Sequence, residues 1–167
     1  MKTVAIAAGL ALALAAPAAG QTPGGWTLEI PKAPLDVAHL IHAGPDGRPI
    51  LALSCRKNTG QIAASFEAPE NLASGRRGEV WIDRIGRPAP WAVSVAVVSG
   101  PERTTLRGQA RPSPAGGSTV SVEVSDRAPV LAAWRKSAVL RLESLGSAVE
   151  PPPARKSLIG RFLGYCG

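Results

Sequence analysis

The chain is poor in the residues that carry most chemistry near neutral pH. It holds two histidines and two cysteines among 167 residues. His39 and His42 are three apart, an odd spacing that turns them to opposite faces of a strand, where they cannot share an ion. APLDVAHLIHAG also reads as a helix, with Asp36 near its start and Gly44 after its end, and then both rings share a face. Asp36 and Asp46 are the only nearby acids, whereas protein metal sites take three or four ligands. HExxH is missing, so no metal site is expected. GxSxG, the hydrolase elbow, is also missing. So are the glycine-rich phosphate loops GxxxxGK[ST] and GxGxxG, and no cofactor is expected. Acids are scarce too, 12 against 19 basic residues, for a formal charge of +7. Such a balance draws a protein to anionic surfaces. No aromatic-basic motif accompanies it, so nucleic acid is not an expected partner.

A long apolar run is missing everywhere except at the start. MKTVAIAAGLALALAAPAAGQ opens with Lys2, runs apolar from Val4 to Ala16 and closes on Ala18-Ala19-Gly20. That order reads as a cleavable signal peptide over residues 1–20. The run falls short of the roughly 20 apolar residues that span a bilayer, so no stable membrane span is expected after cleavage. No cysteine follows it for lipid attachment, and no twin arginine precedes it. The expected location is periplasmic or secreted. Residues 21–167 are long enough for a single domain with one core.

What the chain has in quantity is turn formers, 18 Gly and 16 Pro. Between them lie short apolar runs with a period of two, the mark of half-buried strands. These are WTLEI, VAHLIHA, ILALSC, QIAASF, EVWIDRI, WAVSVAVV, STVSVEV and AVLRLES. The expected fold is therefore mainly β: an antiparallel β-sandwich or small barrel of about eight strands. RPSPAGGS (111–118) and EAPENLASGRRGE (67–79) read as loops. Two segments break the alternation and predict short helices, one of them C-terminal. In DRAPVLAAWRKS, Val130, Leu131 and Trp134 recur at helical spacing, Asp126 offers an N-cap, and Arg135 and Lys136 suit the last turn. In the tail, Leu158, Ile159, Phe162, Leu163 and Cys166 form one helical face, with Ser157 or the residues before it as the cap.

The two cysteines are each aimed inward by separate patterns, Cys55 by strand alternation and Cys166 by helical spacing. An exported protein is expected to pair them, so a Cys55–Cys166 disulfide should close the domain. The alternative is a reactive thiol at Cys55, whose pKa the adjacent Arg56 and Lys57 would lower.

The WTLEI strand, the L-x-L-x-C strand (51–55), the V-x-I-D strand (80–83), the helix followed by L-x-L (131–142) and the terminal cysteine together give a familiar order. In it the chain resembles small exported bacterial β-sandwich proteins of the type VI secretion-associated VasI-like and invasion-associated locus B-like kind. The resemblance implies a binding or assembly accessory role and carries over no catalytic residue.

Among the surface candidates, Trp26, Trp91 and Trp134 sit on patterned faces and are expected in the core. Trp81 differs, because Val80 and Ile82 claim the core face of its strand. It is either an exposed anchor or a ring packed under a loop or helix. Arg76, Arg77, Arg84 and Arg87 flank it, making a candidate surface binding site. Asp83 and Glu102 are the carboxylates that a spatially assembled hydrolase pair would draw on. The plainer expectation for Asp83 is that it ends a strand and hydrogen-bonds the following turn. The function expected is therefore a non-catalytic binding or accessory protein of the cell envelope. Its partner would be an envelope protein or an anionic envelope surface. The alternatives are an inhibitor of an envelope or wall hydrolase, a basic binder of that anionic surface, and, behind these, a carboxylate-based hydrolase.

Overall fold

The computed structural model describes residues 25–167, so the signal peptide expected over residues 1–20 lies outside the described residues. In chain order the elements are β1 (Gly25–Glu29), β2 (Val37–Ala43), β3 (Pro49–Arg56), β4 (Gln61–Ala68), β5 (Gly75–Arg77), β6 (Val80–Ile82), β7 (Trp91–Ser99), β8 (Glu102–Pro112), β9 (Ser118–Ser125), α1 (Pro129–Ser137), β10 (Arg141–Ser144), β11 (Ser147–Val149) and α2 (Lys156–Cys166). The fold is mainly β with two short helices, one of them C-terminal, as the alternation predicts. Nine strands form one antiparallel sheet in the order β1-β2-β3-β4-β9-β8-β7-β10-β11, and β5 and β6 pair separately.

Period-two alternation gives the sheet one apolar face, and the register lines that face up from strand to strand. Leu40 stands opposite Leu53, Leu51 opposite Phe66, Phe66 opposite Val120, and Val97 opposite Leu142. The sheet curls around this face until its edges approach. Trp26 Nε1, on edge strand β1, donates to Pro152 O at 2.7 Å, just beyond edge strand β11. The helices fill the concave side, α1 against β7 and β8, α2 against β2 and β3. Trp134, Ile159 and Phe162 are fully buried there. No helix among the described residues is long and apolar enough to cross a membrane.

The structure corrects several local readings. VAHLIHA is a strand, not part of a helix, with His42 buried on the core face and His39 on the other. β8 carries only Leu106 and Ala110 as apolar side chains on its inward face, so alternation did not reveal it. Its inward Gly108 answers to space: a Cβ there would lie 2.6 Å from Ser121 O and from a Val95 methyl. Asp126 does not cap α1. The N-cap is Ala128, with Pro129 in the first turn, and no side chain bonds the free N–H groups. At α2 the N-cap is Arg155, again without a side-chain bond, so the residue before the helix caps it and Ser157 does not.

The tail is held from both sides. Cys55 and Cys166 are bonded, with Cα atoms 5.6 Å apart across a sequence separation of 111. Both are buried and neither thiol is free, which removes the reactive-thiol reading of Cys55. The end of α2 is capped by the β3–β4 turn: Asn58 N donates to Tyr165 O at 3.1 Å and Gly60 N to Cys166 O at 2.8 Å. Such pairing satisfies carbonyls that a helix end otherwise leaves unbonded.

Candidate functional site

The register sorts the connections onto two ends of the sheet. One end carries the β3–β4 and β7–β8 turns and the close of α2. The other carries the entry to β1 at Gly25, the β2–β3 turn, the β8–β9 turn and the long excursion between β4 and β7. That excursion holds every arginine flanking Trp81.

Here the expected loop over 67–79 and the expected core strand over 79–85 are both revised. Their neighbouring ends pair as a separate ribbon, with Gly75 opposite Ile82, Arg76 opposite Trp81 and Arg77 opposite Val80. Gly78, at φ 62°, supplies the positive φ of the two-residue turn. The ribbon pairs with no strand of the main sheet, so Val80 stays 47 % exposed and not inward.

Asp83 fastens the ribbon's base. Its Oδ1 accepts from Ile85 N at 3.0 Å and Arg87 N at 2.8 Å, and its Oδ2 from Arg87 Nε at 2.7 Å. Burial pushes its carboxyl pKa up, but the N–H groups of Arg87 and Ile85 and the Arg87 guanidinium outweigh that and hold it below the ordinary value. Asp83 is therefore the turn staple that its position after a strand suggests. Arg87 O in turn accepts from Trp91 Nε1 at 3.0 Å, which ties this turn to the buried first residue of β7.

Trp81 is exposed, at 36 %, and the Arg76 guanidinium lies over its ring, 4.1 Å from the centroid. That is a cation–π contact across the ribbon's central pair. Arg77 reaches toward Gly86, while Arg84 is exposed and makes no ion pair among the described residues. Arg87 is the exception among the four, committed to Asp83. Two residues escaped the sequence reading: Val80 and Ile85, the latter 75 % exposed. Their apolar character argued for burial, and only the ribbon's isolation puts them in water.

The other candidates lie elsewhere. Trp134 and Trp91 are buried and Trp26 is half-buried, packing with Trp134 at a centroid distance of 6.4 Å. His42 meets the edge of Trp26 at 5.3 Å, its Nδ1 lacks a partner, and burial lowers its pKa. Asp46 pairs with Arg48 in the β2–β3 turn, and the backbone carbonyl of Asp36 accepts from Lys57. Among the described residues no group of three His, Cys, Asp or Glu could hold a metal. Glu102 lines an open groove of about 520 Å³ between the β7–β8 turn and α1, beside Pro129 and Lys136. Asp83 is not among the groove's lining residues.

No protein-family model, curated protein or solved structure matches the chain.

Proposed function

We propose that the protein is a non-catalytic accessory protein of the bacterial cell envelope and that the β5–β6 ribbon is its contact element. One observation carries this reading: Trp81 is held in water under Arg76, on a ribbon that adds nothing to the core. An exposed tryptophan fixed by a cation, among further arginines, is the composition that binding surfaces favour. The disulfide supports an extracytoplasmic location, because such bonds persist in oxidising compartments. The signal-like leader and the resemblance to VasI-like and invasion-associated locus B-like proteins support the same assignment.

The test is photo-crosslinking in intact cells with a photoreactive residue at position 81 and, as a control, at Ser121 on the sheet's outer face. A discrete adduct, to protein or to lipid, at 81 alone is expected. If the capture is a wall or envelope hydrolase, the accessory role is that of an inhibitor. Equal labelling at both positions, or none at 81, would overturn the ribbon as contact element.

A further inference from the structure

We infer that the β5–β6 ribbon docks on the surface of an anionic phospholipid bilayer, an inference that rests on the ribbon being the contact element. Its chemistry alternates in the way an interfacial segment requires. Val80 and Trp81, neighbours on opposite faces of β6, and Ile85, in the turn that follows it, are 47 %, 36 % and 75 % exposed. Tryptophan favours the headgroup layer, where its ring meets acyl chains and its N–H meets water. Around these residues stand Arg76, Arg77 and Arg84, whose long stems let the charge stay at the phosphates while the apolar part lies lower. The local acids offset little of this charge. Asp83 is neutralised by Arg87 at 2.7 Å, which leaves Glu79 in the ribbon turn and Glu70 in the loop before β5 against three arginines.

Size favours a bilayer over a folded protein. Each ribbon strand has three residues and is about 10 Å long. A stable protein interface needs about 800 Å² on each side, whereas a membrane surface is engaged by a few apolar anchors with cations around them.

The test is flotation of the exported protein with vesicles of phosphatidylglycerol and phosphatidylethanolamine, and with vesicles of phosphatidylcholine. Binding is expected to be at least tenfold tighter to the anionic vesicles and to weaken as salt rises. The W81A/I85S and R76Q/R77Q/R84Q variants should each lose about tenfold or more. The R56Q/K57Q/R127Q variant removes equal charge at the opposite end and should bind like the parent. Equal loss in both triple variants would mean attraction by net charge and would overturn the inference. No vesicle binding, with a protein adduct at position 81, would overturn the bilayer as partner and leave the contact element standing. No vesicle binding and no adduct would overturn both.

Discussion

At the scale of single residues, two glycines and one histidine carry checkable consequences. Gly160 and Gly164 lie inside α2, and a Cβ at either would meet nothing within 4 Å. Alanine should therefore fit, and each substitution should raise stability by about 0.5–1 kcal/mol, since glycine loses the most backbone freedom in a helix. Urea midpoints of the two single variants check this. His42 works in the opposite direction. Burial disfavours its charged form, so its pKa falls from 6.5 in the folded state while the unfolded chain keeps the ordinary value. The unfolded state then binds more protons, and stability is lost as pH falls below about 6.5 toward the folded value. The urea midpoint should drop between pH 7.5 and 5.5, and H42L should remove most of that drop. An equal drop in H42L would place the sensitivity elsewhere.

At the scale of elements, the tail helix and the ribbon depend on different anchors. The tail has a weak, glycine-interrupted sequence, so its place is held by Ile159 and Phe162 in the core, by the caps from Asn58 and Gly60, and by the disulfide. Replacing both cysteines by serine opens a loop spanning 111 residues and should cost about 2–5 kcal/mol, read as a lower urea midpoint that reductant no longer shifts. The ribbon, by contrast, hangs on Asp83. D83N keeps the size but loses the ion pair to Arg87. It should speed tryptic cleavage at Arg77 and Arg84 and leave the main unfolding transition almost unmoved, because the ribbon opens locally. The helices were legible from the spacing of Val130, Leu131 and Trp134 and of Ile159, Phe162 and Cys166. Their caps were not, because backbone geometry at Ala128 and Arg155 does the capping without a side chain. β8 was illegible for a related reason. Its inner positions hold Thr104, Leu106, Gly108 and Ala110, which give no regular apolar alternation, and at Gly108 the neighbouring Ser121 and Val95 leave no room for a side chain.

For the whole molecule, the curl is the property that one contact reports. Trp26 Nε1 bonded to Pro152 O joins the two ends of a nine-stranded sheet. W26F removes that donor and should cost about 0.5–1.5 kcal/mol. Amide exchange in β11 should speed up more than in β4, which is central and paired on both sides.

By itself the sequence determined the inward face of most strands, the two helices and the inward aim of both cysteines. Alternation and helical spacing are local, and burial of apolar side chains follows them wherever a core exists. Only the tertiary structure decided which patterned segments reach that core. EVWIDRI alternates as well as its neighbours, yet it pairs with Gly75–Arg77 and, through one bridge from Ile82, with Pro88, and joins no strand of the main sheet. Long-range strand pairing makes that choice, and no window of the chain records it. The same choice leaves Trp81, Val80 and Ile85 in water and turns a core-like pattern into the candidate contact surface.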